Sequence, residues 1–179
     1  MITDEQIIDG IRCGDINIMK HLYESYYVLL CNFAYRFTKD KDPAKDIVSD
    51  IFLNLWLKRE KIDISTSLRS YLYVSVRNHC FNYLKTANRN YLRISEDDDE
   101  TLNIESEDQF YKAIESDEEV EIILSKLPDR KRLVFKLKVI DGLKYKEIAE
   151  ILSISVNTVQ NHMVEAYKIL SKKLSNGHK

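Results

Sequence analysis

The side chains best suited to specific chemistry lie near the carboxyl end of the chain, on a predicted helix that begins near residue 155. Asn and Gln amides form paired hydrogen bonds with adenine edges in the major groove of DNA, whereas Lys168 is better suited to a phosphate. Amides dominate the positions that point away from the apolar stripe of this helix. We therefore predict duplex DNA contacts at Asn157, Thr158, Gln160, Asn161, His162, Val164 and Lys168.

A second polar and basic stripe lies on a predicted helix that begins near residue 68. Asn78, Asn82, Lys85 and Arg89 follow one another at helical spacing, so they share one outward side. Aromatic rings beside them suit stacking on unpaired bases, at about 1–3 kcal/mol for each stack. For any single ring, packing in the core explains the helical spacing equally well. The prediction of single-strand binding therefore rests on the rings together with the polar and basic stripe. The neighbouring aromatic and basic residues are Arg69, Tyr71, Tyr73, Arg77 and Phe81.

Two carboxylates, Asp46 and Asp50, are spaced four residues apart on another predicted helix. Paired carboxylates serve catalysis or bind metal ions, but no His, third carboxylate or Gly-rich phosphate loop accompanies these two. Leu53 and Leu57 fall near the same side of the helix. An acidic edge beside exposed leucines favours a protein-docking face.

The elements that must position these residues are helices. The chain has only 4 Gly and 2 Pro and lacks alternating β-branched runs, which predicts an all-α protein. Asp42 followed by Pro43 predicts the start of a helix. The first domain is predicted over residues 5–94, with apolar stripes at helical spacing over 19–37, 47–56 and 68–84.

A second helical domain is predicted over residues 118–175. Its first helix ends at Pro128, Asp129 caps the next, and Gly142 ends that one. A further helix over 144–152 is followed by a turn of three residues and by the last helix, which is the helix-turn-helix pattern. The apolar positions of the first three helices are Val120, Ile123, Leu124, Leu127, Val134, Leu137, Val139, Ile148, Ala149 and Leu152. The buried stripe of the last helix is predicted to be Val156, Val159, Met163, Ala166 and Leu170.

Charge is segregated along the chain, although the net charge is only −2. Residues 95–121 hold 13 Asp or Glu and a single Lys, whereas 122–179 hold 12 Lys or Arg and 5 acids. Residues 64–94 contain five basic residues and no acid. Two basic modules, suited to a polyanion, thus flank an acidic linker predicted to be flexible over residues 95–117.

Composition also excludes several classes of protein. Neither a secretory signal nor an apolar stretch of about 20 residues is visible, which predicts a cytoplasmic protein. Cys13, Cys31 and Cys80 lack metal-ligand spacing and are predicted to be buried, reduced thiols. The sequence predicts neither a metal nor another cofactor, and no enzymatic activity.

Two runs of sequence resemble a known family. FAYRFTKDKDPAKDIVSDIFLNLW and SLRSYLYVSVRNHCFNYL resemble region 2 of the extracytoplasmic-function (ECF) group of sigma-70 family factors, and the run from Leu127 to Leu170 resembles their region 4. The resemblance implies that region 2 binds the β′ coiled coil of core RNA polymerase and captures the minus-10 element of promoter DNA as it melts. It also implies that region 4 contacts the β flap and recognises the minus-35 element.

Carried over by position, the resemblance assigns roles to the stripes described above. Minus-10 recognition falls on the stripe from Arg69 to Arg89, and minus-35 recognition falls on the last helix. An anti-sigma factor, often bound to a membrane, is an implied partner. The polymerase-docking surface falls on Asp46, Ile47, Asp50, Phe52, Leu55 and Trp56, whose apolar members also suit the core.

The sequence departs from the family pattern at several of these positions. Gln160, His162 and Glu165 stand where many relatives have Arg, which predicts a different promoter sequence. Lys45 replaces a frequent acid, and Ser153 replaces the usual turn glycine.

The alternative is an autonomous helix-turn-helix regulator that binds operators without polymerase. Such a regulator usually dimerises to span two half-sites, and no sustained heptad pattern supports a dimer here.

Overall fold

The protein is described from a computed structural model that covers residues 3–86, 122 and 124–176, with side chains up to Ser171. These residues include no strand, so the all-α prediction is confirmed for them. The chain divides into two compact units, Met1–Arg93 and Ile94–Lys179. The predicted acidic linker and Arg89 lie outside the described residues, and the predicted domain boundaries stay predictions.

The first unit contains four α-helices within residues 3–86. α1 spans Asp4–Arg12, α2 spans Ile16–Thr38, α3 spans Lys41–Leu57 and α4 spans Leu68–Thr86, with a short 3-10 turn at Arg59–Lys61. α1 was not predicted as a separate helix. Its signal is a capping box in which Thr3 and Gln6 exchange hydrogen bonds of 2.9 and 3.3 Å.

The start of α3 differs from the prediction. Asp40, not Asp42, is the N-cap, and its carboxylate accepts a hydrogen bond from the Asp42 amide at 3.2 Å. Pro43 is therefore the third helical residue rather than the first. Proline is tolerated there because amides of the first turn have no carbonyl partner within the helix. Lys39 ends α2 with a left-handed φ of 55°, so the chain turns sharply between the two helices.

The core of the first unit lies between α2, α3 and α4. The Phe33 ring contacts the Phe37 and Tyr73 rings at centroid distances of 5.1 and 4.9 Å. Burial of Cys80 raises the pKa of its thiol to about 12, because the thiolate would lose its hydration. Cys31 is buried as well, whereas Cys13 is exposed, which corrects the prediction that all three thiols are buried.

The second unit contains the predicted helix-turn-helix. α5 spans Asp129–Val139, α6 spans Tyr145–Leu152 and α7 spans Val156–Asn176. Leu124 and Leu127 pack in one cluster with Ala166 and Leu170 of α7. Val120 and Ile123 lie outside the described residues.

Three predictions for this unit are wrong. Asp129 is the first residue of α5 rather than its cap, and its carboxylate pairs with Arg132 at 3.5 Å. Gly142 does not cap α5, because the helix ends at Val139 and Ile140 is its C-cap. Val156 is 37% exposed, although it was predicted to be buried. Val156 is the first residue of α7, at the margin of the buried stripe.

The turn between α6 and α7 has the predicted length but holds a serine in a strained conformation. Ser153 has φ 55°, and the Ile154 amide donates to the Ala149 carbonyl at 3.0 Å, which closes the end of α6. The Ser155 hydroxyl then caps α7 by accepting from the Thr158 amide at 3.0 Å. A Cβ at positive φ is unfavourable, so this turn forms at a cost that glycine would avoid.

We expect Ser153→Gly to stabilise the second unit by about 0.5–1 kcal/mol, because glycine adopts positive φ without a Cβ clash. Ser171→Gly, inside α7, is the matched control and should destabilise the unit by about as much. Native-state hydrogen exchange of the α6 and α7 amides measures both effects without assuming that the two units unfold together. Loss of protection in Ser153→Gly would contradict the explanation.

Candidate nucleic-acid interface

The outward face of α7 carries the residues predicted to contact duplex DNA. Val159, Met163, Ala166 and Leu170 are buried against the rest of the unit, which fixes the orientation of the helix. The opposite side exposes a continuous stripe about three turns long. Its members are Asn157, Asn161, Val164 and Lys168, with Gln160 exposed at one edge.

Two predicted DNA-contacting residues lie at the margins of this stripe. Thr158 and His162 are half-buried. The Thr158 hydroxyl lies 2.8 Å from the Ser155 hydroxyl, so it takes part in the capping of α7. The structure therefore brings the predicted residues onto one helix but places only some of them at its centre.

A salt bridge that the sequence did not reveal joins α5 to the outward face of α7. The Lys131 ammonium lies 3.0 Å from a carboxylate oxygen of Glu165. Its hydrogen bond and its charge lower the pKa of Glu165. The contact offsets the negative charge of Glu165 and keeps its carboxylate directed towards α5.

The predicted polar stripe on α4 is exposed. Asn78, Asn82 and Lys85 face solvent, and Tyr71 is half-buried on the same side. The opposite side, which includes Leu72, Val76, Cys80 and Leu84, is buried in the core.

The two arginines predicted beside this stripe are held by neighbouring side chains. The Arg77 guanidinium donates to the Asn78 amide oxygen at 3.2 Å and lies 5.9 Å from the Phe81 ring centre. Arg69 lies over the Tyr26 ring at 5.8 Å. The Arg77 charge is thus kept close to the exposed amide of Asn78, whereas Arg69 is held against α2.

Tyr73 does not belong to the nucleic-acid face. Only 1% of its surface is exposed, and its ring packs on Phe33, so it cannot stack on a base. The sequence contained the signal, because Tyr73 precedes Val76, Cys80 and Leu84 by three, seven and eleven residues and therefore shares their buried side. Phe81 is half-buried, with its ring 5.7 Å from that of Phe37.

The acidic face predicted for protein docking is present on α3, but not all of the residues predicted for it are exposed. Asp46 and Asp50 are exposed, and Leu53 and Leu57 beside them are 54% and 64% exposed. These four residues form one outward stripe, which we call the α3 face. Trp56 is half-buried, with the Arg59 guanidinium 4.9 Å from its ring centre.

Three residues predicted for docking are core residues instead. Ile47, Phe52 and Leu55 are buried, because their positions point towards α2 and α4. Their apolar side chains support the α3 face from beneath, and only the edge of Ile47 reaches the surface, in the groove described next.

An open groove of about 360 Å³ connects the α3 face with the α4 stripe. The first half of α3 forms one wall and the second half of α4 forms the other. The sequence did not predict this groove, since its walls come from segments about 30 residues apart. Its lining residues are Pro43, Asp46, Ile47, Asp50, His79, Asn82, Tyr83 and Thr86.

Among residues 3–86, 122 and 124–176, no group of three His, Cys, Asp or Glu side chains is placed to hold a metal ion. No helix in that part of the chain has the length and apolarity needed to cross a membrane.

Comparison with known proteins identifies the family. Residues 22–90 match the family model of sigma-70 region 2, and residues 117–170 match that of sigma-70 region 4. The ECF RNA polymerase sigma factor SigW of Bacillus subtilis is 27% identical over 93% of this chain and 94% of its own length. The ECF RNA polymerase sigma-E factor of Escherichia coli is 24% identical over 97% of this chain and 95% of its own.

Two solved structures share the fold. CnrH in complex with the cytosolic domain of CnrY has a TM-score of 0.62 and 21% identity, and covers 97% of both chains. The sigma factor RpoE in complex with the anti-sigma factor NepR, from Bartonella quintana, has a TM-score of 0.55 and 19% identity, over 87% of this chain and 96% of that one. With regions 2 and 4 matched in that order over most of its length, and with ECF relatives aligned nearly from end to end, the chain belongs to the ECF group of the sigma-70 family of RNA polymerase sigma factors.

Proposed function

We propose that the chain directs core RNA polymerase to promoters by using its three exposed faces for three different contacts. The observation that carries the proposal is that each face is polar or acidic on a helix whose opposite side is buried. The core therefore fixes which side chains meet a partner. RNA synthesis itself is performed by the polymerase, and this chain contributes recognition and melting.

α7 recognises the minus-35 element in duplex form. A helix-turn-helix places its second helix in the major groove, where Asn161 and Asn157 face base edges and Lys168 faces a phosphate. Val164 is 53% exposed between them and suits the methyl group of thymine. His162 and Thr158, at the margins of the stripe, contribute less direct contacts.

α4 holds the melted minus-10 strand. Asn78 and Asn82 contact the edges of unpaired bases, Tyr71 provides a ring for stacking, and Lys85 and Arg69 attract the backbone. Asn82 lines the same groove as Asp46 and Asp50 of the α3 face, so the strand would pass close to the docked polymerase.

The α3 face binds the β′ coiled coil of core polymerase, and the second unit contacts the β flap. Carboxylates beside exposed leucines form a surface that suits a partner with basic and apolar side chains. The same faces are targets for an anti-sigma factor, which would hold the chain inactive. The complexes with CnrY and NepR among its structural relatives support this regulatory partner. The proposed site of action is the cytoplasm.

Run-off transcription tests the proposal. Purified chain added to core RNA polymerase should produce discrete transcripts from fragmented genomic DNA, because the chain supplies promoter selection that core polymerase lacks. Core polymerase alone is the control. Promoter binding by the chain as a dimer, without any stimulation of the polymerase, would favour an autonomous regulator instead.

A further inference from the structure

α1 lies outside the parts of the chain that the family models match, and its two ends make contacts with the start of α4 and the segment before it. Region 2 is matched from residue 22, so all of α1 lies before it. Asp4 and Arg12, at the two ends of this helix, are exposed charged residues. Both nevertheless make hydrogen bonds to backbone groups more than 45 residues further along the chain.

The first of these contacts caps α4. A carboxylate oxygen of Asp4 accepts a hydrogen bond from the Leu68 amide at 3.0 Å. The Ser67 hydroxyl accepts one from the Ser70 amide at 3.1 Å. Because first-turn amides lack partners within the helix and carry partial positive charge, an anionic acceptor there stabilises the start of α4.

The second contact holds the segment that leads into α4. The Arg12 guanidinium donates to the Ile62 carbonyl through Nη2 at 2.7 Å and through Nε at 3.3 Å. Its Nη1 donates to Asp9 at 3.2 Å, which orients the guanidinium from within α1. A forked donor fixed in this way restrains the carbonyl more tightly than a single flexible ammonium would.

α1 itself is firmly anchored. Ile11 is buried, and Gly10 packs so closely on the Ile18 side chain of α2 that a Cβ at this position would displace that side chain. The two contacts therefore tie both ends of the α3–α4 connection, residues 62–67, to a rigid support. This connection contains the exposed polar residues Asp63, Ser65 and Thr66, and it joins the helix of the α3 face to the helix of the minus-10 stripe.

We propose that Asp4 and Arg12 are positioning residues, which hold the α3–α4 connection and the first turn of α4 in the geometry that captures the melted minus-10 strand. The proposal rests on the function proposed above. Neither side chain belongs to the core, so their loss should leave the fold in place. It should instead let the start of α4 move, and displacements of about 1 Å are enough to impair a preorganised site.

Promoter opening by the full chain with core polymerase provides the test, with permanganate reactivity of minus-10 thymines as the readout. We expect Asp4→Ala to reduce opening about fivefold, the effect of one lost hydrogen bond. Asp4→Asn should recover most of it, since its amide oxygen still accepts from Leu68. Glu5→Ala, in the same turn of α1, removes the same charge and should behave as wild type.

Arg12 provides an independent pair of variants. Arg12→Ala should reduce opening by a similar factor, and Arg12→Lys should recover only part of it because an ammonium lacks the fork. Affinity for core polymerase and for minus-35 duplex should stay unchanged in all variants, since the α3 face and α7 are untouched.

Three outcomes would overturn the proposal. One is normal opening by both Asp4→Ala and Arg12→Ala. Another is an equal loss of promoter opening in Asp4→Ala and Glu5→Ala. The third is a loss of opening matched by equal losses of polymerase and duplex binding, which would indicate general destabilisation. A wild-type chain that yields no transcripts would overturn the proposed function as well, whereas an active wild type with unchanged variants would overturn this proposal alone.

Discussion

The double substitution Asp46→Lys, Asp50→Lys is expected to weaken binding to core RNA polymerase by about 100-fold or more, because like charges brought together at an interface cost several kcal/mol. Both carboxylates are exposed on the α3 face and stand beside Leu53 and Leu57. A basic partner surface that fits these carboxylates would meet two ammonium groups instead. Fluorescence anisotropy of labelled chain titrated with core polymerase measures the loss.

The controls separate docking from folding and from net charge. Ile47, Phe52 and Leu55 keep α3 packed, so the circular dichroism of the double variant should match that of the wild type. Reversal of Glu5 and Glu24, exposed acids on α1 and α2, makes the same change in net charge away from the α3 face. Wild-type affinity in the Asp46 and Asp50 variant would exclude this face as the docking surface.

The second large effect is expected on α7, where Asn161→Ala should cost about 1–3 kcal/mol on the preferred minus-35 sequence and relax the choice at one base pair. Asn161 is exposed opposite the buried Val159, Met163 and Leu170, so in the proposed complex its amide faces the major groove. Promoter libraries transcribed with each variant reveal the change in base preference.

Lys168→Ala should behave differently although it changes the same face. Loss of one phosphate contact should weaken binding to all DNA sequences about equally. It should also reduce the slope of log binding constant against log salt concentration by about 0.9. Asn17→Ala, which removes an exposed amide from α2, is the control for both and should have no effect. If Asn161→Ala left base preference unchanged while Lys168→Ala altered it, the proposed placement of α7 in the groove would be wrong.

Much of the site follows from helical periodicity, which is a local property of the sequence. Apolar residues three and four positions apart must share one side of a helix, so the outward positions of α4 and α7 follow from the buried ones. Asn78, Asn82, Asn161 and Lys168 were placed correctly for this reason. The same rule, applied strictly, would have placed Tyr73 in the core.

The family was identified differently, from two runs of sequence that resemble sigma-70 regions 2 and 4 in that order. Periodicity does not identify a family. It was also less informative at the ends of helices. Asp40 and Asp42 both suit an N-cap, and only the course of the backbone after Lys39 decides between them. Val156 continues the apolar stripe of α7, but at the first residue of the helix it is 37% exposed.

The sequence by itself thus determined the helices, most of their outward faces and the family, whereas only the tertiary structure decided which distant residues meet. Asp4 and Leu68 are 64 residues apart, Arg12 and Ile62 are 50 apart, and Lys131 pairs with Glu165 on another helix. The sequence around an exposed charged residue looks the same whether or not that residue contacts a distant part of the chain. The partner of such a residue depends on how whole helices pack, because packing brings together backbone groups and side chains that no local spacing relates.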